Sequence, residues 1–417
     1  MELLPVIIES LVKIALVLGF LMTAAAYLVL LERWVAAWVQ DRLGPNRVGI
    51  PLTRFRMFGL GQPLADGVKF VCKEEVTPRH VDRALYFLGP LTMFVSALAV
   101  FAVIPFGSVL PEELGIKGVS RPIHLIIAPG IDVGLIYVLA VSSTAVYGVL
   151  LGSWASNNKY GFFGGLRSSA QLISYEIPMG LALLAVVLSS GSLRLESIIG
   201  RQADNGVWNI FVEPLGFLVF LVASFAEATR IPFDLPEAEQ ERVGGYHTEY
   251  SGIKLMMLLV GEYMHMLTAS MLLVVLYFGG WHLWGLTGSG DRVSWLEALL
   301  RVAVLAGKVM LVILFFMISR WSWPRFRFDQ LMNLAWKVMV PLGMVNLLFV
   351  ACWIEYAPQM VQGWRLPQGL PMAAAGWAVL AVTWLVVTLI VPAASDNRPR
   401  LESILIPEDA SEEVHVG

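Results

Sequence analysis

Long apolar runs recur along the whole of this 417-residue chain, and they constrain its fold more than any other feature. A helix that crosses a bilayer needs about 20 mainly apolar residues. Nine candidate runs lie at residues 5–31, 84–106, 129–152, 168–190, 208–226, 252–281, 298–319, 331–353 and 371–393. We therefore predict an all-α polytopic membrane protein with about nine transmembrane helices, and we treat residues 1–417 as a single membrane domain.

The composition agrees with this class and excludes several others. Hydrophobic residues make up 57% of the chain and charged residues only 15%, with a mean hydropathy of +0.70. A soluble domain is nearer 25% charged, and a disordered chain would be less apolar. The net charge of -3 shows no basic excess for nucleic acid. Cys72 and Cys352 form no CxxC motif, so the chain alone offers no iron–sulfur ligand set and no disulfide framework.

Basic residues predict how the chain is oriented. The odd-numbered loops between the predicted spans hold sixteen Lys and Arg residues, whereas the even-numbered loops hold six. By the positive-inside rule the odd loops are cytoplasmic. The N-terminus is then outside the cell, and the C-terminal tail (394–417) is inside.

The first loop, residues 32–83, contains a predicted interfacial helix. Residues 62–71 follow a glycine-containing break and place Leu64, Val68 and Val71 on one apolar face. Such a helix can lie along the membrane surface, or it can pack against a partner subunit. The sequence favours these two interpretations equally.

Ionisable residues inside the predicted spans are the first candidates for function, because each costs about 2.5–3.5 kcal/mol to insert. Glu176 and Glu262 each lie ten residues into a span, at about the same depth, and Lys308 and Lys337 lie inside spans seven and eight. Buried carboxyl and amino groups can exchange protons near neutral pH. Proton transfer and simple structural pairing of Glu with Lys both account for this pattern.

The loop between spans five and six, residues 227–251 and called loop five below, is unusually acidic. Its acids are Glu227, Asp234, Glu237, Glu239, Glu241 and Glu249. Such a cluster is ordinarily a solvated surface. Because the loop lies against the membrane and leads into span six, which carries Glu262, with Glu176 on nearby span four, a carboxylate funnel that feeds protons inward is the sharper hypothesis.

Motifs for other chemistry are lacking in the sequence. There is no GxGxxG and no GxxxxGK, so no nucleotide site is indicated. A transmembrane haem needs paired axial histidines, whereas His265 is the one histidine deep in a span. A lone histidine in a span more often serves packing or helix–helix hydrogen bonding.

Five motifs on the odd loops and adjoining spans resemble the NuoH family, which supplies a membrane subunit of respiratory NADH:quinone oxidoreductase (complex I). They are Arg42-Leu-Gly-Pro-Asn-Arg-Val-Gly49, Gln62-Pro-Leu-Ala-Asp-Gly-Val-Lys69, Ser174-Tyr-Glu-Ile-Pro178, Arg230-Ile-Pro-Phe-Asp-Leu-Pro-Glu-Ala-Glu239 and Pro324-Arg-Phe-Arg-Phe-Asp-Gln330. The core of the resemblance runs from about residue 32 to 348, so the span at 371–393 is an extra C-terminal one.

The resemblance implies a non-redox-centre subunit that is inactive alone and lies in the bacterial inner membrane. Members of the family form much of the chamber that admits ubiquinone or menaquinone, while FMN and the iron–sulfur clusters belong to partner subunits of the peripheral arm. No cofactor is then bound by this chain alone, and quinone is the substrate. The neighbouring partners are peripheral-arm subunits at the terminal cluster and membrane-arm subunits, with lipid around them.

The resemblance also assigns site residues. Those matching the quinone chamber are Arg47, Gln62, Asp66, Lys69, Asp82, Arg83, Arg230 and Phe233. Those matching the proton and coupling route are Glu176, Glu227, Asp234, Glu237, Glu239, Glu241, Glu249 and Glu262, to which the buried lysines Lys308 and Lys337 are added. Arg325, Arg327 and Asp329 match a cluster in loop seven, and no metal ligands are assigned.

Two further functions compete with this interpretation. Related subunits serve membrane complexes linked to ferredoxin, F420 or hydrogenase, and the electron donor is set by other chains. A secondary transporter could also use buried Glu and Lys residues, but such folds usually show inverted repeats, and none is visible here. His265 departs from the small residue usual in the family, as an extra titrating group or a gap-filler.

Overall fold

The computed structural model describes residues 3–49, 58–110, 123–234, 244–284, 286–287, 294–360 and 369–390. In this part of the chain the regular structure is helical, and the prediction of an all-α polytopic membrane protein is confirmed. The helices are α1 Leu3–Val39, α2 Gln62–Cys72, α3 Arg83–Ala99, α4 Gly134–Ala155, α5 Lys159–Ser190, α6 Leu195–Asn205, α7 Asn209–Val212, α8 Pro214–Glu227, α9 Gly252–Tyr277, α10 Trp295–Ser322, α11 Phe328–Asn333, α12 Val340–Met360 and α13 Gly369–Ile390. The tail after residue 390 lies outside the described residues.

Eight of the described helices are long and apolar enough to cross a membrane. The fifth predicted span, 208–226, is different. It contains the single turn α7 and then α8, which has only 14 residues. Pro214 begins α8, since proline is favoured at the first helical position and cannot continue a preceding helix. At 1.5 Å per residue α8 is about 21 Å long, which is shorter than a hydrocarbon core of about 30 Å.

Helix α9 lies at the centre of the bundle. All of its residues from 264 to 277 are buried, as expected for a helix that is apolar on every side. Helices α1, α3, α8 and α10 pack against α9. Helix α13 is largely exposed and contacts α7, α8 and α12, which agrees with a peripheral extra span.

The interfacial helix forms where the sequence predicted it. Helix α2 has no buried residues, and Leu64, Val68 and Val71 are 71%, 55% and 63% exposed. An exposed apolar face of this kind suits a membrane surface or a partner protein.

Loops one, five and seven lie together at one end of the bundle, called the loop-five end below. The hydroxyl of Ser251 accepts a hydrogen bond from the backbone of Val76 at 3.0 Å. The backbone N–H of Phe326 donates to the carbonyl of Pro232 at 3.1 Å. Helices α5, α8 and α9 therefore all run between this end and the opposite one.

Candidate functional site

An internal cavity brings together three of the predicted carboxylates. Glu176 comes from α5, Glu227 from the last residue of α8, and Glu262 from α9. The cavity has a volume of about 40 Å³, which is room for roughly three water molecules at ~10–15 Å³ each. Its other polar lining residues are Ser142, Ser143, Ser168, Thr229, Tyr246 and His265. The arrangement can hold and exchange protons through carboxyl groups, hydroxyl groups and water.

Two of the carboxylates in the cavity, Glu176 and Glu262, are held by different parts of the chain. The hydroxyl of Ser143 on α4 donates to the carboxylate of Glu176. The hydroxyl of Tyr246 donates to Glu262 at 2.9 Å, and both side chains are buried. Tyr246 lies on a short 3₁₀ turn of loop five, so this loop reaches directly into the cavity.

His265 also lines the cavity. It is one helical turn from Glu262 on α9 and is 7% exposed. Its Nε2 atom has no hydrogen-bond partner among the described residues. His265 therefore adds a buried ring nitrogen without a hydrogen-bond partner to the described lining of the cavity, and the two interpretations of this residue, an extra titrating group and a gap-filler, stay predictions.

A second buried polar cluster centres on Glu32 of α1, which sequence reasoning did not include among the site residues. The guanidinium of Arg230 donates to both oxygens of Glu32 at 3.0 Å, and Arg320 and the hydroxyl of Tyr263 donate as well, the latter at 2.7 Å. Arg230 also lies over the ring of Tyr263 at 4.5 Å. This Glu32 cluster joins α1, loop five, α9 and α10. The only signal in the sequence was an acid at the end of the first span.

The two polar clusters meet on α9. Glu262 contacts the cavity, whereas its chain neighbour Tyr263 contacts Glu32. A change at loop five can therefore reach both the cavity and the Glu32 cluster through two neighbouring residues of α9.

The described part of loop five is firmly anchored. The amide of Gln171 donates to the carbonyls of Ala226 and Phe233 at 2.9 and 2.8 Å. Arg325 of loop seven pairs with Asp234 at 3.3 Å. Phe233 is 2% exposed and packs inside the chain.

The far end of loop five is held by different contacts. Asn158 donates to Glu249 at 2.5 Å, and the hydroxyl of Tyr250 donates to the carbonyls of Tyr86 and Gly152. Burial, together with Tyr86, raises the pKa of Tyr250 above its ordinary value. The acids Glu237, Glu239 and Glu241 lie outside the described residues.

The predicted chamber residues of loop one form a smaller polar group around Asp66. Asp66 pairs with Arg33 of α1 at 2.7 Å and with Lys69 at 3.6 Å, and it accepts a hydrogen bond from Gln62 at 3.3 Å. These contacts fix α2 against the end of α1.

The other predicted residues of this region are more exposed. Asp82 caps α3 by accepting hydrogen bonds from the backbone N–H groups of Ala84 and Leu85. Arg47 and Arg83 are exposed on the chain surface. In loop seven, Arg327 and Asp329 form an exposed pair at 3.8 Å.

The two predicted lysines lie away from the cavity. The ammonium of Lys308 donates to the carbonyls of Phe278, Gly280 and His282 at 2.7, 3.0 and 2.6 Å. It therefore satisfies carbonyl groups just beyond the end of α9, where a helix leaves its last carbonyls without helical partners. Lys337 is exposed on the chain surface, in a π-helical segment, Leu334–Met339, before α12. The expected buried row of Glu and Lys does not form in this chain.

A large apolar cleft lies between α1 and α10, with a volume of about 580 Å³. Its walls include Leu16, Phe20, Leu31, Val309 and Ile313, and Trp34 and Leu60 lie toward the loop-one region. A cleft of this size and chemistry can hold an extended apolar chain.

No group of three His, Cys, Asp or Glu residues in the described ranges is placed to hold a metal ion. Cys72 and Cys352 are exposed free thiols.

The fold and cavity define a multi-pass helical membrane protein that gathers ionisable groups inside its bundle, a feature associated with ion and proton pathways. The profile of the NADH dehydrogenase family matches residues 12–351. The H subunit of NADH-quinone oxidoreductase from Protochlamydia amoebophila is 47% identical over 330 residues, covering 79% of this chain and 92% of that protein. An H subunit of the same enzyme from Geobacter metallireducens is 45% identical over 344 residues, covering 82% and 95%.

An H subunit of NADH-quinone oxidoreductase from Cytophaga hutchinsonii is 43% identical over 348 residues, covering 83% of this chain and 97% of that protein. The chain belongs to the NADH dehydrogenase family, within the group of NADH-quinone oxidoreductase H subunits known as NuoH. The resemblance seen in its loop motifs is thereby confirmed.

Proposed function

We propose that this chain is a membrane subunit of a proton-pumping NADH:quinone oxidoreductase, complex I. In this proposal it forms much of the quinone chamber and the first carboxylate channel that couples quinone reduction to proton movement. FMN and the iron–sulfur clusters belong to partner subunits, so the chain has no activity alone. Family membership supports the complex, and the internal cavity supports the channel.

The cavity with Glu176, Glu227 and Glu262 is the observation that carries the coupling role. Three carboxyl groups from three helices share a space large enough for water, which is what stepwise proton transfer requires. A set of acids placed inside a membrane bundle is costly unless it is used or paired. Ser143 and Tyr246 supply hydroxyl groups that extend the hydrogen-bonded path.

Loop five supplies the connection between the two proposed roles. Tyr246 reaches the cavity, and Arg230 reaches the Glu32 cluster. Reduction of a quinone withdraws protons from nearby acids or leaves negative charge. Either change alters the electrostatic potential at the loop-five acids. The contacts of loop five then transmit this change to Glu227, Glu176 and Glu262.

The apolar cleft and α2 support the quinone role. A quinone has a long apolar tail and a polar head, so its site needs an opening at membrane level and a polar end. The cleft between α1 and α10 offers the opening at membrane level. The exposed apolar face of α2 supports a position of this region at the membrane surface, and Arg33, Asp66 and Lys69 supply polar groups beside it.

The orientation follows from the distribution of basic residues. We place the loop-five end in the cytoplasm and the N-terminus outside, in the inner membrane of a bacterial cell. The polar residues of loops one, five and seven then face the peripheral-arm subunits, while the lipid-exposed helix faces border membrane-arm subunits and lipid. Both ubiquinone and menaquinone fit this arrangement.

The first experiment purifies the native membrane complex through a tag on this chain. Inhibitor-sensitive NADH:quinone electron transfer and proton uptake into vesicles are measured for the wild type and for Glu262→Gln. The control is Glu196→Gln, the same chemical change at an acid near the start of α6 that lies outside the proposed route. We expect the complex to copurify with electron transfer, and proton uptake to fall in Glu262→Gln but not in the control.

Other outcomes would contradict the proposal in distinct ways. A complex that oxidises only ferredoxin or hydrogen would place the chain in a sister class. A chain that purifies alone and drives proton-coupled solute uptake would make it a transporter. Unchanged proton uptake in Glu262→Gln, with full electron transfer, would remove the coupling role of the cavity.

A further inference from the structure

A second buried carboxyl group lies at the end of the bundle opposite to loop five. Glu213 directly precedes α8 and is 0% exposed. Ser189 of α5 and Asn346 of α12 present neutral donors to it. Neither carboxyl oxygen has a hydrogen-bond partner of good geometry among the described residues. Sequence reasoning did not single out this acid, although it falls inside the predicted span 208–226.

The surroundings of Glu213 are polar but uncharged. The amide nitrogen of Asn346 and the hydroxyl of Tyr277 also have no partner within the described part of the chain. Burial of an ionised carboxylate without a cation costs far more free energy than keeping the proton on the group. The side chain is therefore held as a neutral acid that can give up its proton only when another group or water receives it.

The space around Glu213 is made by a glycine. A Cβ atom at Gly216, one turn along α8, would lie 2.7 Å from the amide nitrogen of Asn346 and 3.4 Å from the hydroxyl of Tyr277. The missing side chain lets both polar groups approach the helix beside Glu213. A polar pocket with donors and a protonatable acid is thus built from α5, α8, α9 and α12.

The same helices that supply the cavity also supply this pocket. Glu176 and Ser189 are both on α5, Glu227 and Glu213 bound α8, and Glu262 and Tyr277 are both on α9. Each pair is separated by 13 to 15 residues, which is roughly 20 Å of helix. The two sites therefore face each other along a common set of helices, across most of the membrane thickness.

One face of α8 runs between the two sites. Glu213, Gly216, Phe220, Ser224 and Glu227 recur at intervals of three and four residues, which places them on one stripe. The hydroxyl of Ser224 is buried and has no partner in the described structure. The ring of Phe220 is fully buried and lies 5.6 Å from that of Tyr277, and Phe220 stands between Glu213 and Glu227 along the stripe.

We propose that Glu213 is a second proton-holding site, which receives a proton from the cavity past Phe220 and releases it toward the face opposite to loop five. This inference rests on the proposed coupling function. It assigns to this subunit an outlet of its own, with Phe220 as the apolar barrier between the two sites.

The test uses the whole complex reconstituted in vesicles. Glu213→Gln keeps the shape and the zero charge of a neutral acid but cannot release a proton, so the fold is expected to survive. Protons pumped per electron are measured during NADH oxidation, next to Glu196→Gln and Glu262→Gln. Redox-induced infrared difference spectra record whether a band from a protonated carboxyl group is lost.

We expect Glu213→Gln to lower the ratio of protons to electrons while the uncoupled electron-transfer rate is unchanged, and to remove one carboxyl band. An unchanged ratio and an unchanged spectrum would overturn the inference and leave Glu213 as a packing group. If Glu262→Gln still fails to pump in that case, the proposed function stands without the outlet. If Glu262→Gln pumps normally as well, the coupling proposal itself fails.

Discussion

The hydroxyl of Tyr246 donates to the carboxylate of Glu262 over 2.9 Å, which joins loop five to the central helix α9. Both side chains are buried, with 2% and 6% exposure. No other described residue of loop five between 244 and 251 lines the cavity. Glu227 and Thr229 line the cavity from the start of loop five, and the Tyr246–Glu262 pair joins the described far end of the loop to it.

Removing this hydroxyl should weaken coupling more than it weakens folding. A hydrogen bond to a charged group contributes about 1.5–3 kcal/mol, and about 1.4 kcal/mol corresponds to roughly tenfold in an equilibrium. We expect Tyr246→Phe to lower proton uptake per electron in vesicles, with little change in uncoupled NADH oxidation. The control is Tyr160→Phe, at an exposed tyrosine of α5. Equal proton uptake in both variants would show that the hydroxyl has no part in coupling.

Removing one partner of the Glu32 cluster should be strongly destabilising. Arg230→Met removes the guanidinium that donates to both oxygens of Glu32, and breaking a buried pair costs about 3–5 kcal/mol. We expect a lower thermal midpoint for the purified complex and less assembled subunit in membranes. Arg327→Met, which removes one member of an exposed pair, serves as the control. Equal stability of both variants would contradict a structural role for the cluster.

Lys308 offers a test of structural against proton-carrying function. Lys308→Met removes three hydrogen bonds to the carbonyls of Phe278, Gly280 and His282. We expect a lower thermal midpoint, because each bond to a charged donor contributes about 1.5–3 kcal/mol. Lys308→Arg keeps the charge and the donors, so it should retain most of the stability. A variant with normal stability and impaired pumping would instead favour the proton-carrying role.

The close contact between Gly216 and Asn346 in the pocket at Glu213 predicts that a methyl group added at Gly216 lowers the stability of the protein. Gly216→Ala places its Cβ atom 2.7 Å from the amide nitrogen of Asn346, and overpacking of this kind costs about 1–3 kcal/mol. Gly180→Ala on α5 is the matched control, since no atom lies within 4 Å of its Cβ position. We expect a lower thermal midpoint for Gly216→Ala and no loss for the control. Equal midpoints would mean that Asn346 does not occupy the space beside Gly216.

His282 predicts a dependence of stability on pH. Burial, helped by Lys308 and Arg301 and opposed by Asp204, lowers the pKa of this imidazole below its ordinary value of 6.5. Between the lowered pKa and 6.5 the unfolded chain binds more protons than the folded one. Stability therefore rises with pH in that window and is lost on acidification.

Thermal unfolding of the detergent-solubilised complex, from about pH 7.5 to about pH 5.5, measures this effect. We expect the midpoint of the wild type to fall more on acidification than that of His282→Gln. His80→Gln, at an exposed histidine of loop one, should behave as the wild type. A pH dependence that is the same in all three proteins would contradict the assignment.

The sequence predicted most spans, the helix at 62–71 and the buried positions of Glu176 and Glu262, because these depend on local apolar runs and on charges inside them. Glu227 was assigned from the acidic loop and the family resemblance. It did not predict the Glu32 cluster. The partners of Glu32 are 198 and 288 residues away, and no local pattern indicates that they meet.

Two other differences have local causes. The position of Lys337 inside the apolar run predicts a buried side chain, but a position along a helix does not fix which side of the helix meets its neighbours, and Lys337 is exposed on a π-helical segment. Glu213 is missing from the predicted site residues because it lies only five residues after the start of the run 208–226, near the edge of that predicted span. Its Glu-Pro pair marks the start of the shorter α8 and could have signalled the break.

The short length of α8 has an electrical consequence. Its 14 residues extend about 21 Å, and they are bounded by the acids Glu213 and Glu227. Where polar groups reach inward from both faces, the membrane potential falls over the shorter distance, and the local field is roughly one and a half times that across a 30 Å core. A proton displaced along α8 then works against about 2.3 kcal/mol per 100 mV. The potential of an energised membrane would therefore oppose proton movement directly along this helix.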